Sequence, residues 1–447
     1  MKKLTHKWQL YLYAVSGMGV NMLNLMMGSY LCSALLVGGF DAKVVPFQTY
    51  LQKDLVIPAV WAVFALIAKI IDGVIDIPMA SFTDRLRSKW GRRRPSLIMG
   101  LVPMVLAYVL FLVIPNPSGA TLLNTVYFGL VLCVFYTFYT LTMVTYYATF
   151  TEIVETEAER SLISNVKSVC DIVYFILGYV VVRMLLNGMN IRPVALIVLP
   201  LVLTMLIPLF MIKEDSTLGS KLSDGSHTVN MFRSLRCTFQ NRSYVAWMLV
   251  AAFMNFGVQL FLGGINEYFS YVGMSMIFVM VAAFIPVPLT LLLYNRLQKK
   301  YGFGFAYRYA LLMFSFGMVV MFLVGIMPAG TAKTVLSIVS GLICSFAIGA
   351  LFAVAYSVPS QLAADEEKET GVSNGAMYFA VQGLVSGIAT GLATGVVLTA
   401  LKGSEESASS AITYITLISA AGTLAAFLCT FGLPNAVKNI GKEHKEK

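Results

Sequence analysis

The sequence predicts an all-α membrane protein with twelve transmembrane helices in two six-helix halves and both termini in the cytoplasm. Three observations predict it. Of the 447 residues, 58% are hydrophobic and only 12% charged, more apolar surface than a water-soluble core can hide. Apolar stretches of roughly 20 residues or more recur along the chain, the length a helix needs to cross about 30 Å of hydrocarbon. The longest polar stretch, "KEDSTLGSKLSDGSHTVNMFRSLRCTFQNRS", falls near the middle.

The predicted spans run 9–37, 56–82, 95–114, 122–150, 162–186, 192–212, 243–271, 274–297, 305–328, 333–362, 371–401 and 410–434. The first is too long and too rich in Asn and Gly for a cleaved signal peptide, so it is expected to stay as a helix. The expected divisions are an N-terminal bundle at 1–212, a central cytoplasmic loop at 213–242, a C-terminal bundle at 243–434 and a cytoplasmic tail at 435–447. Orientation follows from Lys and Arg. The N-terminus (Lys2, Lys3, Lys7), the loop after the second span, the central loop, the loop after the eighth (Arg296, Lys299, Lys300) and the tail (Lys438, Lys442, Lys445, Lys447) are basic. They share one face of the membrane only if the number of spans is even. The loop "ADEEKETG" between the tenth and eleventh spans falls on that face too, and its acids carry little weight in the rule.

Several function classes are excluded. The formal charge of +10 lies in short loops between apolar runs, a pattern that orients a polytopic chain and needs no nucleic acid. Cysteines 32, 133, 170, 237, 344 and 429 lack metal-ligand spacing and read as small core residues. Histidines 6, 227 and 444 all lie in polar segments, leaving none for a buried dyad. With no HExxH or GxSxG motif, no enzyme is expected, and with no ATP-binding loop, no nucleotide or cofactor. A channel would repeat a pore motif or ring of like charge, whereas the paired acids sit in one half.

Residues 69–95 read "KIIDGVIDIPMASFTDRLRSKWGRRRP". On a helix Asp72 and Asp76 are i and i+4, about 6 Å apart along the axis with both carboxylates on one face. Each charge costs several kcal/mol in hydrocarbon, and two nearby acids repel unless a cation or proton sits with them. A cation seat is the direct reading. Lys69, on nearly the same face, neutralises one acid at most and sets the pocket's charge near minus one. Beyond the pair, Asp84, Arg85, Arg92, Arg93 and Arg94 either anchor the loop or gate it by bonding to neighbouring helix ends in one conformation and releasing in the other.

Other membrane segments are polar too. "YTFYTLTMVTYYATF" in the fourth span mixes four tyrosines with five threonines, where a lipid-facing helix would be chiefly Leu, Ile and Val. Lys167 and Asp171 form an i, i+4 pair that reads either as a neutral local ion pair or as substrate contact. Asn255 and Gln259 share a face of the seventh span, for a cavity or for helix-helix hydrogen bonding. Glu267 is expected near the outer end, as a gate or simply solvated. Gly387, Gly391 and Gly395 permit close helix packing.

The stretch "DGVIDIPMASFTDRLRSKWGRRRP" resembles the signature of the glycoside-pentoside-hexuronide:cation symporters, the melibiose permease-like branch of the major facilitator superfamily. "TYYATFTEIVETEAERSLISNVKS", "INEYFSYVG" and "YSVPSQLAADEEKETGVSNGAMYF" extend the resemblance over most of the chain. It implies two halves rocking about a midplane site, a monomer in the cell membrane, and symport of a sugar, glycoside or oligosaccharide with Na+, Li+ or H+. It implies a cation site at Asp72 and Asp76, with Na+ one candidate occupant. Some members carry a further acid that falls here at Thr142 or Met143, so neutral oxygens of Thr142 and Thr145 are the expected substitutes and the ion is left open. For substrate it implies Asn21, Tyr139, Tyr146, Tyr147, Lys167 and Gln382, to which the polar residues Lys69, Asp171, Asn255 and Gln259 are added. Asn21 stands where an acid can occur and Gly387 where some members carry lysine, which points away from melibiose. The alternative is a lysolipid carrier with the same fold and paired acids, its 24 methionines lining an adaptable cavity. The polarity of the fourth span argues against it.

Overall fold

Proline and glycine decide where the apolar runs begin, bend and stop. The computed structural model describes residues 7–38, 45–153, 157–214, 216, 239–240, 242–370, 375–402 and 410–439. Among these every regular element is helical. The chain divides into two compact units, residues 1–37 with 42–227, and residues 38–41 with 228–447.

In the first unit, α1 is the run Lys7–Leu35, which passes through a π-helical turn at Met26–Leu31. The second helix, α2 (58–85), starts with Pro58 at its first position, where the missing N–H costs nothing. It consists of Pro58–Val74 and Asp76–Arg85 joined at Ile75. The bonds Ile75 N to Ile71 O (3.0 Å) and Met79 N to Ile75 O (2.9 Å) carry the helical register across that joint. Next, α3 spans Arg93–Phe111 and α4 Leu122–Glu152, the latter capped by Thr121, whose hydroxyl accepts from Asn124 N at 3.2 Å. The run 157–185 forms α5, with a π-helical turn at Leu177–Val181, and Ile191–Met211 forms α6, tightened to 3₁₀ geometry at Leu199–Met205 around Pro200. Helix α4 packs on α2 and α3, while α1 packs on α5 and α6.

In the second unit, α7 is Arg242–Gly263 followed, after a break at Gly264, by Ile265–Val272. Then come α8 (Met276–Tyr301), interrupted at Pro286, α9 (Phe303–Ile326), α10 (Thr331–Thr370), α11 (375–401), α12 (Ser410–Gly432) and the short α13 (Asn435–Lys438). Helix α7 packs on α11 and α12, and α9 on α10 and α12.

Ten of these runs are long and apolar enough to cross a membrane. Runs α2 and α5 are not among them. The first is split at Ile75 and holds Lys69, Asp72 and Asp76; the second holds Lys167 and Asp171. One expectation is corrected: "ADEEKET" continues α10 as helix to Thr370 instead of forming a loop. Its Ala, Glu and Lys are strong helix formers, and a helix leaving the hydrocarbon for water has no reason to stop at the boundary. Nearly all of the central loop, the end of the tail, Cys237 and the histidines lie outside the described residues. The other five cysteines are free thiols.

The turn between α2 and α3 depends on a glycine. Gly91 has φ +83°, and a Cβ there would lie 2.3 Å from both Cβ and Oε2 of Glu214. Glu214 itself accepts a hydrogen bond from Arg93 N at 2.7 Å, satisfying the first turn of α3 from just beyond the end of α6. Replacing Gly91 by Ala imposes a left-handed backbone on an L-residue and expels the capping carboxylate. A loss of at least about 2 kcal/mol is expected, to be read as a lower thermal unfolding midpoint of the purified protein in detergent.

Candidate functional site

Two polar clusters lie inside the first unit, both built on α4. Tyr136 and Thr140 are i and i+4 on that helix and form the stripe that meets α2. The Thr140 hydroxyl donates to Asp72 Oδ1 at 3.0 Å. The Lys69 ammonium lies 3.5 Å from Asp72 Oδ2 and 3.7 Å from the centroid of the Tyr136 ring, which it faces. Asp76 opens the second segment of α2, and among the described residues no hydrogen bond or ion pair reaches its carboxylate. Lys69 therefore answers one acid and leaves the other without a partner.

The threonines expected as ligands are elsewhere. Thr142 donates to Phe138 O at 2.8 Å and packs against Gly100 of α3, where an added Cβ would meet its hydroxyl oxygen at 2.5 Å. Thr145 donates to Leu141 O at 2.7 Å. Both are fully buried. At about 100° per residue, position 142 is rotated some 200° from 140, away from α2. Thr140, which sequence reading missed, is the threonine at the acids; its i+4 relation to Tyr136 was the available signal.

The second cluster joins α1, α4 and α5. Tyr139 donates to Asn21 Oδ1 at 3.2 Å, and the Asn21 amide donates to Asp171 Oδ1 at 3.5 Å. Asp171 accepts from Lys167 at 2.9 and 2.7 Å, and the Lys167 ammonium stands 5.4 Å from the Tyr147 ring centroid. Asn21, Tyr139, Tyr147, Lys167 and Asp171 are thus brought together as expected of a polar site. Lys69 is not among them; it belongs to the acids of α2. Tyr146 is not among them either. It stacks on Tyr13 at 4.9 Å with the rings 4° from parallel, and the two exchange hydrogen bonds to each other's carbonyls at 2.7 and 2.9 Å. That reciprocal pair is a rivet between α1 and α4.

In the second unit, Gln382 of α11 accepts from the Trp247 indole at 2.9 Å, and Asn255 donates to Ser386 at 3.1 Å and to Ala251 O at 2.9 Å. The bonds to Gln382 and Ser386 join α7 to α11, and the bond to Ala251 O lies within α7. Gln259 is half-buried on the face of Asn255 and makes no hydrogen bond among the described residues. Glu267 departs from expectation: its side chain is completely buried and pairs with Lys402, just past α11, at 2.7 Å. Solvation does not stabilise it; the lysine does. Of the loop residues, Arg93 is buried and donates to Thr83 at 3.2 Å, while the guanidinium Nε of Arg94 is buried with no hydrogen-bond partner among the described residues. Arg92 accepts from Ser96 through its carbonyl at 2.7 Å. The side chains of Asp84 and Arg85 lie outside the described residues.

The donor set at Asp72, Asp76 and Thr140 consists of hard oxygens, which fits an alkali cation or a proton and not a soft metal. Among the described residues no cluster of three His, Cys, Asp or Glu side chains could hold a metal ion.

Comparison with known proteins bears on the family and the fold. A family model described as MFS/sugar transport protein matches residues 12–413. An uncharacterized symporter of Synechocystis, sll1374, is 30% identical over 132 residues, which are 29% of this chain and 24% of that protein, so the match spans about a quarter of the relative's length. The fold is that of a D-xylose-proton symporter (TM-score 0.66, 15% identity, 98% of this chain and 100% of the other) and of the nucleoside transporter NupG (TM-score 0.62, 13% identity, 95% and 98%). The matched family is one of multi-pass membrane transporters. With paired acids on α2, a polar α4 and a family match over nearly its whole length, the chain belongs to the MFS/sugar transport protein family, the melibiose permease-like family of the major facilitator superfamily.

Proposed function

We propose that this protein is a secondary active symporter that moves a sugar, glycoside or oligosaccharide together with Na+, Li+ or H+ by alternating access. The observation that carries the reading is Asp76, an acid that no hydrogen bond or ion pair reaches among the described residues, beside Asp72 in a helix whose one lysine is already committed. Such a pair carries one uncompensated negative charge, and charge in a membrane segment is retained where an ion binds or passes. In this reading Asp72, Asp76 and Thr140 hold the ion. Asn21, Tyr139, Lys167 and Asp171 bond sugar hydroxyls, with the Tyr147 ring against the C–H face. The charges of Lys167 and Asp171 cancel, which suits an uncharged sugar better than a uronide.

The same reading has α2 and α5 crossing the membrane with the other ten runs, which makes twelve spans and puts both termini in the cytoplasm. Residues 1–212 and 243–434 are then the two six-helix bundles, a division supported by the two compact units. Asn255, Gln259 and Gln382 are proposed as polar groups contributed by the C-terminal bundle, and the Arg92–Arg94 run with Asp84 and Arg85 as a gate.

Uptake into proteoliposomes tests the proposal. A panel of labelled neutral glycosides is offered with inward Na+, Li+ or H+ gradients, and a second series measures counterflow. Saturable, gradient-driven accumulation of at least one glycoside, with counterflow, is expected. Accumulation of lysophospholipid and of no sugar overturns the substrate reading, and uptake indifferent to all three gradients overturns the coupling.

A further inference from the structure

We propose that Tyr136 is a positioning residue for the coupling ion: its ring holds the Lys69 ammonium off Asp72 and so sets how tightly the Asp72–Asp76 seat takes an alkali cation. The inference rests on the ion-coupled reading above and adds to it a residue that touches neither ion nor substrate.

Among its described residues the first unit contains two local Lys–Asp pairs, spaced i,i+3 at Lys69–Asp72 and i,i+4 at Lys167–Asp171. Lys167 sits on Asp171 at 2.7 Å, with its nearest ring, Tyr147, 5.4 Å from the ammonium. Lys69 stands 3.5 Å from Asp72, with the Tyr136 ring at 3.7 Å. Where the ring is close, the ion pair is long. An aromatic face attracts an ammonium strongly once water is excluded, and Tyr136 is itself only 1% exposed. Its ring also meets Phe135 edge-on at 5.6 Å, and its hydroxyl lies near Gly28 of α1.

Lys69 is in effect a cation tethered beside the seat. Any free cation that binds Asp72 competes with it, since both need the same carboxylate oxygens. With the ring present, part of the ammonium's electrostatic demand is met by the π face, and Asp72 Oδ2 is only loosely engaged. Without the ring, Asp72 is the nearest attraction left, and the ammonium closes on it to the distance seen at Lys167. The seat is then occupied from within, and external cations bind more weakly. The Thr140 bond to Asp72 Oδ1 keeps the carboxylate oriented in either case.

The test uses the purified full chain in detergent and reads binding, not transport. Na+ and Li+ are titrated while the thermal unfolding midpoint is followed, because a ligand of the folded state raises it in proportion to its affinity. Tyr136→Leu is expected to weaken Na+ and Li+ binding about tenfold, and Tyr136→Phe, which keeps the ring face, to restore it. Lys69→Gln removes the competitor and is expected to tighten binding. In that background Tyr136→Leu has no further effect, which a merely structural role of the ring would not produce. Should Tyr136→Leu not fold, the Lys69→Gln titration decides: weaker binding there overturns the proposal. Equal binding by wild type and Tyr136→Leu overturns it as well, as does an equal shift in both backgrounds. A wild-type midpoint that responds to neither Na+ nor Li+ overturns the alkali-cation seat together with this inference, whereas failure confined to the variants overturns the inference alone.

Discussion

Asp76→Asn is expected to reduce substrate accumulation to simple equilibration, with the internal concentration no higher than the external. The argument is one of charge. One cation carried inward per substrate down an inside-negative potential of 100 mV supplies about 2.3 kcal/mol, enough for a concentration ratio of about 50. Lys69 already answers Asp72, so the negative charge left to attract the ion is that of Asp76. An amide keeps the shape and the oxygen but not the charge, so the proposed cation seat is lost while the polar cluster on α1, α4 and α5 is untouched. Downhill exchange of substrate therefore continues while the gradient ceases to matter. Asp72→Asn is expected to abolish accumulation too, and in addition to lower stability, because it leaves the Lys69 ammonium without its carboxylate in a low-dielectric site. The measurements are the steady-state accumulation ratio and counterflow in the same vesicles. If both variants still concentrate substrate as wild type does, the coupling assignment is wrong.

Removing Glu267 carries the largest expected cost to the fold. Its side chain is 0% exposed and Lys402 6%, with 2.7 Å between them. Truncating one partner of such a pair strands the other charge, at about 3–5 kcal/mol. Glu267→Ala should therefore unfold at a markedly lower temperature, and Lys402→Met should do the same from the other side. Replacing both with apolar residues of similar volume removes the stranded charge and is expected to recover most of the loss. Because the pair is buried, salt should screen it little. Double-variant unfolding temperatures in detergent decide this; a double variant as unstable as the two single ones combined would show that the residues act independently.

The location of the acids was legible because helical period and hydropathy together suffice: two aspartates four residues apart in an apolar run must share a face, whatever surrounds them. Lys69 was legible for the same reason, through its spacing of three from Asp72. The Lys167–Asp171 pair was equally local, and its two readings could be separated only by what packs against it. Tyr146 illustrates the limit. Its neighbours in "TMVTYYATF" look alike in sequence, yet Tyr146 closes on Tyr13 of α1 while Tyr147 turns toward Lys167. Adjacent residues on a helix differ by about 100°, and that angle separates a packing contact from a polar site.

From sequence alone came the membrane environment, the helical class and the paired acids with their neighbouring lysine, since each depends on composition or on residues within one or two helical turns. Only the tertiary structure decided that Thr140 rather than Thr142 or Thr145 meets Asp72, that Tyr136 lies under Lys69, and that Glu267 is buried against a lysine 135 positions away. These depend on the rotational phase of one helix against another, which no local pattern encodes, and on partners that meet only when distant segments pack.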